Sequence, residues 1–395
     1  MESPLAAHVS ETLTGIPTIL AYKAESVFIE KQMAKLDQSN LAYLLFNHTM
    51  FWVTMRLNFL NAVATFSIAI FGVTGVMSAD LLGVALTQIT LFAPIINELL
   101  RAMVAVERLN HYAHKLPSEA SRNLPKDGTL NTWPSAGAIS IENLSLTYST
   151  RPDHAVVNGI SLTINAGEKI GVVGRTGSGK STLMDSFFRL IEASGGSISI
   201  DGVDISTIGL KKLRSSIQMI PQNPILFDGT VRSNIDALAK YTDDDIWYAL
   251  ECVGMKEYVS RLSNKLDSTI TEGGTNLSAG QRQLLCLTKV LLEKNKILIM
   301  DEATSSVDAE SDLRIQDSMK THFKSATVIS VAHRLNTISG FDKVLVLENG
   351  KAAEFEAPYV LLQKENSIFK EMVNAMGVTN AACIKDIAEK HQQRK

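Results

Sequence analysis

The stretch GRTGSGKS occupies residues 174–181 and lies between two segments of different periodicity. Residues 169–173 form a short apolar run typical of a buried strand, and residues 182–190 carry apolar side chains at helical spacing. The stretch matches the pattern G-x-x-x-x-G-K-[ST], which forms a phosphate-binding loop when a strand precedes it and a helix follows it. The sequence therefore predicts a P-loop at residues 174–181.

The residue types of this loop suit a phosphate group. Glycines let the backbone curl until several N–H groups point at phosphate oxygens, and the positive end of the following helix adds to the attraction. Lys180 can reach the β- and γ-phosphates, and the Ser181 hydroxyl group can bind Mg²⁺. The alternative, a glycine-rich turn without a ligand, must be weighed against the rest of the chain.

Length and composition set the broad class. A chain of 395 residues allows two or three domains, and 45 % apolar with 20 % charged residues is typical of a folded protein. The net charge of −3 gives no support to broad electrostatic binding of nucleic acid. Cys252, Cys286 and Cys383 are isolated in the sequence, which favours a reducing, cytosol-facing protein without structural disulfides. No signal-peptide pattern follows Met1.

Two apolar stretches predict a hairpin through a membrane. Residues 57–77 contain no charged residue, and at 1.5 Å per residue they span the hydrocarbon layer of roughly 30 Å. Residues 81–100 form the second, weaker stretch. Arg56 and Arg101 flank the outer ends and Asp80 lies in the turn, so the positive-inside tendency places both ends in the cytosol. The alternative is a pair of buried helices in a large soluble protein.

Shifts in composition divide the rest of the chain. Residues 1–113 combine a long helical pattern with the two apolar stretches, and residues 114–138 are rich in Pro, Ser, Asn and Lys, as in a linker. A soluble domain is predicted for residues 139–375, with a helical part at about 223–295 and a tail at 376–395.

Three consecutive acidic residues, Asp243, Asp244 and Asp245, have two interpretations. They resemble a metal cluster, but Thr242 also fits the N-cap of a helix whose third residue is Asp245. Negative charge is favourable at the positive end of a helix dipole. We therefore predict a helix start rather than a metal site.

Two further strands end in polar residues. The apolar run at 296–300 leads into Asp301 and Glu302, and the run at 327–332 leads into His333. Continuous apolar strands that alternate with helices predict a mainly parallel sheet, whose ligands bind at the carboxyl ends of the strands. The P-loop, the acidic pair and His333 are therefore expected at one edge of the same sheet.

These side chains match the needs of phosphoryl transfer, which requires a phosphate cradle, a metal and a positioned water. Asp301 and Ser181 suit Mg²⁺, and Glu302 is the candidate that polarises the attacking water. Gln222 can offer an amide oxygen to the metal or to the water, and His333 can hydrogen-bond the γ-phosphate. The alternative for each of these residues is a purely structural role, which a P-loop in the same domain makes less favourable.

The segment NLSAGQRQ at residues 276–283 resembles the signature of ATP-binding cassette (ABC) ATPases, in the form seen in the second nucleotide-binding domain of multidrug-resistance-associated, subfamily C, transporters. The resemblance extends over residues 139–375. The other segments that carry it are 220–222, 226–232, 301–308 and 331–335, and upstream residues 10–19 are similar to a cytoplasmic loop of that family. Departures are Ala279 for a glycine, Lys289 for an arginine and Ala237 for a proline.

The resemblance implies an α/β fold: a P-loop NTPase ABC ATPase domain with a mainly parallel sheet and antiparallel β and helical subdomains. An all-α transmembrane fragment precedes it, with residues 57–77 and 81–100 as the fifth and sixth spans of the second transmembrane domain. Full transporters of this kind have at least twelve spans and two ATPase domains. The chain therefore looks like a C-terminal fragment or a truncated gene product.

The resemblance also implies roles for individual residues. Tyr148 stacks on adenine, Ser278 and Gly280 contact the γ-phosphate of ATP on another nucleotide-binding domain, and Asp308 crosses the interface between the two domains. The implied ATP-contacting residues are Tyr148, Gly174, Arg175, Thr176, Gly177, Ser178, Gly179, Lys180, Ser181, Thr182, Ser278, Gly280, Gln281 and Asp308. The implied metal ligands are Ser181, Gln222 and Asp301, and the catalytic residues are Glu302, His333 and Gln222.

An ATPase that uses ATP and Mg²⁺ to export organic anions or drug conjugates is the function that the resemblance implies. Its partners are a second nucleotide-binding domain, further transmembrane helices and the lipid bilayer, with no nucleic acid. The protein is expected to be integral to a plasma or vacuolar membrane, with its ATPase domain in the cytosol. A nucleotide-gated channel or channel regulator and a soluble ABC ATPase are the alternatives.

Overall fold

The computed structural model describes residues 4–301, 321–332 and 335–393. The chain forms two compact units, Met1–Ser118 and Glu119–Lys395, so the boundary between them lies inside the predicted linker of residues 114–138. The predicted site residues Glu302, Asp308 and His333 lie outside the described residues.

The first unit consists of helices. Their bounds are Pro4–Ala21 (α1), Glu25–Val73 (α2) and Ala79–His114 (α3). Two of them are long and apolar enough to cross a membrane, by length and composition: α2, and α3 over Ala79–Ile96. Residues 57–73 of the predicted span at 57–77 are therefore the last part of a helix of 49 residues.

The end of that span differs from the prediction. The helix ends at Val73 instead of residue 77, and the chain turns over residues 74–78. Gly75 adopts φ +72°, a left-handed conformation that glycine reaches without steric cost and that commonly terminates a helix. Hydropathy alone does not mark this turn because residues 74–77 are themselves uncharged.

The second unit contains the sheets. The strands among its described residues are Ile139–Tyr148 (β1), Arg151–Ile164 (β2), Lys169–Gly174 (β3), Ala193–Ile200 (β4), Val203–Asp204 (β5), Ile217–Ile220 (β6), Gly229–Thr230 (β7), Thr269–Ile270 (β8), Ile297–Asp301 (β9), Thr327–Val331 (β10), Lys343–Glu348 (β11) and Lys351–Glu356 (β12).

The strands form one mixed sheet and two antiparallel sheets. The six-stranded sheet has the order β12-β11-β3-β10-β9-β6 and is parallel except for β12. A four-stranded antiparallel sheet has the order β2-β1-β4-β5, and β7 pairs with β8. Strands β9 and β10 are almost completely buried, because the central strands of a parallel sheet are covered on both faces.

Helices cover the strands. Their bounds are Lys180–Phe187 (α4), Leu210–Ser216 (α5), Val231–Ile235 (α6), Asp243–Cys252 (α7), Lys256–Arg261 (α8), Ala279–Glu293 (α9), Leu335–Ile338 (α10), Pro358–Gln363 (α11), Ile368–Asn374 (α12) and Val378–Gln393 (α13). Helix α7 begins as predicted: the Thr242 hydroxyl group accepts the Asp245 N–H, and the Asp245 carboxylate accepts the Thr242 N–H in return. The capping interpretation of the acidic triplet is confirmed.

Three clusters of buried side chains hold this unit together. One joins the antiparallel sheet, α4 and the core of the parallel sheet, and includes Leu183, Phe187 and Ile299. A second lies under helices α6 to α9, and a third lies under the C-terminal helices. The P-loop helix α4 and the helix α9 therefore belong to different clusters.

Residues 119–138, here called the strap, are packed against the rest of the second unit. Trp133 is 8 % exposed, and its Nε1–H donates to the Ile200 carbonyl at 2.9 Å. The N–H groups of residues 135–138 converge on the carboxylate of Asp201. The composition of a linker therefore coincides here with a segment that has fixed partners, which only tertiary contacts reveal.

Candidate functional site

The P-loop lies between the end of β3 and the start of α4, and its shape depends on glycine. A Cβ atom at Gly174 would lie 2.3 Å from the Leu347 carbonyl oxygen, and one at Gly179 would lie 3.0 Å from the Val156 carbonyl oxygen. Gly179 also adopts φ +99°. Because neighbouring strands approach this closely, only glycine allows the backbone to leave β3 and enter the helix in this way.

Two polar side chains of the loop are directed into its interior. Lys180 is 9 % exposed, and its ammonium group donates to the carbonyl oxygens of Gly174 at 2.9 Å and Arg175 at 3.1 Å. The hydroxyl group of Ser178 is buried and has no hydrogen-bond partner among the described residues. A buried hydroxyl group without a partner is costly, and a phosphate oxygen in the loop would satisfy it. The loop therefore fits a polyphosphate.

Tyr148 lies next to this loop. It is the last residue of β1, its side chain is 40 % exposed, and its hydroxyl oxygen lies 3.0 Å from the Thr182 hydroxyl oxygen. Thr182 belongs to the first turn of α4 and is 6 % exposed. The antiparallel sheet thus brings an accessible aromatic ring to the start of the P-loop helix.

The carboxyl ends of the parallel strands assemble the remaining polar groups. Asp301 is the last residue of β9, and it pairs in register with Val331 of β10, which in turn pairs with Val172 of β3. Strand β6 flanks β9 on its other side, and Gln222 follows β6 by two residues. Gln222 and Asp301 are therefore on the sheet edge from which the P-loop begins.

Oxygen ligands for Mg²⁺ are present at this edge. Ser181, Gln222 and Asp301 supply a hydroxyl, an amide and a carboxylate oxygen, the hard ligands that Mg²⁺ prefers. Asp301 has one carboxylate oxygen that is completely buried. This donor set fits a magnesium–nucleotide complex.

A second carboxylate near this edge is not evident from the motifs. Burial raises the pKa of Asp185, and the negative charge of Asp301 raises it further. Asp185 lies four residues after Ser181 on α4, so both residues lie on the same face of the helix. That spacing is the only signal in the sequence that points to it.

The signature residues begin another helix. The Ser278 hydroxyl group accepts the Gln281 N–H at 3.2 Å, and the Gln281 side-chain oxygen accepts the Ser278 N–H at 2.9 Å. This reciprocal capping box starts α9, a helix of 15 residues, while Ser278 itself is exposed and Gly280 is buried. The exposed N-terminus of a long helix presents its positive dipole end, which suits an anion.

Known proteins match almost the whole chain. The profile of the ABC transporter ATPase domain, described as "ABC transporter", matches residues 157–305, and the profile described as "ABC transporter transmembrane region" matches residues 2–99. ABC transporter C family member 3 of Dictyostelium discoideum is 41 % identical over 98 % of this chain and 28 % of its own length. Metal resistance protein YCF1 of Saccharomyces cerevisiae is 40 % identical over 96 % of this chain and 26 % of its own length.

A solved structure has the same fold. The structure of a bacterial Atm1-family ABC exporter with ATP bound superposes with a TM-score of 0.78 at 23 % identity, over 95 % of this chain and 66 % of that chain. The chain thus spans only about a quarter of the length of its curated relatives, 26 % and 28 % of the two named above.

Proposed function

This chain belongs to the ABC transporter family, with relatives in subfamily C, and from that premise we propose that it is the ATP-binding and ATP-hydrolysing part of an exporter. The observation that carries the proposal is the buried hydroxyl group of Ser178, which has no hydrogen-bond partner in the described part of the chain and lies inside a glycine loop that Lys180 closes. ATP is the ligand whose phosphates complete this loop. Organic anions or drug conjugates are the proposed cargo.

Binding begins at the P-loop and at Tyr148. The N–H groups at the start of α4 and the ammonium group of Lys180 bind the β- and γ-phosphates. To do so, Lys180 gives up its hydrogen bonds to the carbonyl oxygens of Gly174 and Arg175 and donates to phosphate oxygens instead. The ring of Tyr148 stacks on adenine and keeps the base over the start of α4. These contacts orient the γ-phosphate towards the sheet edge that carries Asp301.

Hydrolysis follows from the groups at that edge. Ser181, Gln222 and Asp301 would hold Mg²⁺, which would supply positive charge to the β- and γ-phosphate oxygens. Glu302 follows Asp301 directly and accepts a proton from the attacking water. His333 donates a hydrogen bond to the γ-phosphate, and Gln222 orients the water. The roles of Glu302 and His333 rest on the sequence motifs, because both residues lie outside the described ones.

A complete site requires a second nucleotide-binding domain. Ser278, Gly280 and Gln281 begin α9, which belongs to a different core cluster from α4, so we assign their exposed helix start to ATP held by the partner domain. The sequence resemblance assigns Asp308 to the same interface. The signature residues of this chain contact ATP bound to the partner domain, and the signature residues of the partner domain contact ATP bound to this chain.

The first unit provides the membrane part. The match to the transmembrane region and the two long apolar helices make the protein an integral membrane protein. We propose that α2 and α3 cross the bilayer as a hairpin with the second unit in the cytosol, because Arg56 precedes the apolar stretch. Further transmembrane helices complete the transport pathway.

ATP hydrolysis by the full chain in lipid nanodiscs tests this function. We expect Mg²⁺-dependent ATP binding, and phosphate release once a subfamily C first nucleotide-binding domain is added. Replacing Glu302 with Gln should abolish phosphate release and preserve ATP binding, because the amide keeps the shape of the side chain but cannot accept the proton. Glu365→Gln, at an exposed position after α11, is the matched control and should retain full activity.

Two results would contradict the proposal. Failure of the wild-type chain to bind ATP would remove the nucleotide from the P-loop. Undiminished hydrolysis by the Glu302→Gln variant would remove Glu302 from its role. Stimulation of hydrolysis by an organic anion favours an exporter over a nucleotide-gated channel, since a channel does not couple turnover to cargo.

A further inference from the structure

The P-loop helix is held at both of its ends. Its N-terminus carries Lys180 and the phosphate-binding N–H groups, and the helix ends at Phe187. With eight residues at 1.5 Å each, α4 is about 12 Å long and behaves as a short rod. Any tilt at its C-terminal end therefore changes the position of the phosphate-binding end.

Arg214 holds that C-terminal end. Its Nε–H donates to the Phe188 carbonyl at 3.0 Å, and one terminal nitrogen donates to the Arg189 carbonyl at 3.3 Å. Arg189 adopts φ +51°, a left-handed conformation in which the helix terminates. A guanidinium group at this position satisfies carbonyls that the helix leaves free and complements the negative end of its dipole.

Among the described residues, the neighbouring Arg189 does not replace Arg214. The guanidinium group of Arg189 points away from the carbonyls that Arg214 uses and donates to the carbonyl of Ile208 at 3.0 Å. Its remaining nitrogens bind the carboxylate of Glu192 at 2.8–3.0 Å. The end of α4 therefore depends on Arg214 for these two hydrogen bonds.

Glu119 fixes the orientation of Arg214. Its two carboxylate oxygens accept hydrogen bonds from the two terminal nitrogens of Arg214 at 2.8 and 2.9 Å, a bidentate arrangement that sets the plane of the guanidinium group. The hydrogen bond to Arg214 lowers the pKa of Glu119, which keeps this carboxylate ionised. Glu119 is the first residue of the second unit and follows Ser118 directly in the chain.

The strap secures Glu119 to the same helix that carries Arg214. The N–H groups of Leu210 and Lys211, in the first turn of α5, donate to the carbonyls of Ser121 and Arg122 at 3.2 and 2.9 Å. A Cβ atom at Gly209 would lie 2.6 Å from the Arg122 carbonyl oxygen, so the strap and the start of α5 are in close contact. The strap thus engages α5 at its start and, through Glu119, at its last turn.

We propose that Glu119 and Arg214 are positioning residues for nucleotide binding: Glu119 orients Arg214, and Arg214 holds the end of α4 so that its start is set for the phosphates. The proposal rests on the function proposed above. It gives the strap a task besides connecting the two units, because the position of residue 119 determines the geometry of the P-loop helix.

Nucleotide affinity of the full chain in nanodiscs, measured with ATP and Mg²⁺ well below the unfolding temperature, tests the proposal. Glu119→Gln should weaken ATP binding about threefold, which matches the upper range for exposed ion pairs. The matched control is Asp243→Asn, which removes the bidentate partner of Arg232; the exposed fractions of that pair, 34 % and 62 %, are close to the 31 % and 58 % of Arg214 and Glu119. It should leave ATP affinity unchanged.

A reversed pair separates positioning from simple attachment of the strap. The double variant Glu119→Arg with Arg214→Glu restores an ion pair, but a carboxylate at position 214 cannot donate to the carbonyls of Phe188 and Arg189. We therefore expect ATP affinity to stay below that of Glu119→Gln, while the unfolding temperature without nucleotide returns towards the wild-type value. Arg214→Lys, which keeps the charge but has a single donor nitrogen in place of the guanidinium fork, should give an intermediate affinity.

Each outcome decides between the proposals. If the wild-type chain does not bind ATP, the proposed function is wrong. If it binds ATP and Glu119→Gln equals Asp243→Asn, or the reversed pair restores affinity, the function stands and the positioning role is wrong. The role is also excluded if affinity changes only in parallel with the unfolding temperature across the four variants.

Discussion

The hydroxyl oxygen of Tyr148 lies 3.0 Å from that of Thr182, although 34 residues separate them in the chain. The bond joins the end of the antiparallel sheet to the first turn of α4. It holds the aromatic ring beside the P-loop. The two parts of the proposed ATP site, for the base and for the phosphates, are thus connected by one hydrogen bond.

Replacement of Tyr148 separates the role of the ring from that of the hydroxyl group. Tyr148→Ala should weaken ATP binding about tenfold, because stacking of a base on an aromatic ring contributes roughly 1–3 kcal/mol. Tyr148→Phe should keep affinity within about twofold of wild type, since the ring remains. Titration with ATP measures both. Equal losses in the two variants would assign the effect to the hydroxyl group instead.

Removal of the Lys180 ammonium group should weaken ATP binding. Lys180→Ala deletes a buried charge that faces the phosphates, and we expect at least about a tenfold loss of affinity. Lys351→Ala, at an exposed position in β12, is the control and should bind ATP as the wild type does. Unchanged affinity of Lys180→Ala would contradict the placement of the phosphates in this loop.

Alanine at Gly174 and alanine at Gly177 should lower the free energy of unfolding for two different reasons, steric overlap and backbone strain. Gly174→Ala should destabilise the second unit by about 2 kcal/mol or more, because the new Cβ atom would overlap the Leu347 carbonyl oxygen at 2.3 Å. Gly177 has φ +83°, but a Cβ atom there would meet no described atom within 4 Å, so Gly177→Ala adds only backbone strain of roughly 1 kcal/mol. Unfolding in urea compares the two. A larger loss at Gly177 would contradict the close approach of β11.

The carboxylate of Asp201 should make the stability of the second unit depend on pH. Partial burial acts to raise the pKa of Asp201, but hydrogen bonds from the N–H groups of residues 135–138 outweigh it and lower this pKa. A lowered pKa in the folded state means that the stabilisation is complete above the unfolded-state pKa of about 3.9. The stabilisation is lost as the pH falls through the folded-state pKa.

Asp201→Asn measures this contribution. At pH 7 we expect a loss of about 1–2 kcal/mol in the free energy of unfolding, because an amide replaces a charged acceptor of several N–H groups. The difference from wild type should shrink as the pH falls below about 4, where the unfolded chain binds the proton, and close only below the lowered folded-state pKa of the wild-type carboxylate. Urea unfolding at several pH values tests it. A difference that is constant with pH would show that shape, and not charge, is responsible.

Short-range sequence patterns were sufficient to predict most of the fold. The apolar run before Gly174, the glycine loop and the helical spacing after it lie close together in sequence, and they are found as β3, the loop and α4. The start of α7 at Thr242 could also be predicted from a short segment, because a capping box involves only four consecutive residues. The end of α2 was misplaced by four residues, since its turn depends on the backbone conformation of Gly75 and not on hydropathy.

The amino-acid sequence by itself determined the family, the order of the elements and the residue types at the proposed nucleotide site, because motifs and periodicity act over a few residues. Only the tertiary structure decided which distant groups meet: Tyr148 with Thr182, Arg214 with Phe188, and Glu119 with Arg214. The physical reason is that these contacts depend on the register of strands and the packing of helices. A segment with the composition of a linker thereby becomes part of the second unit.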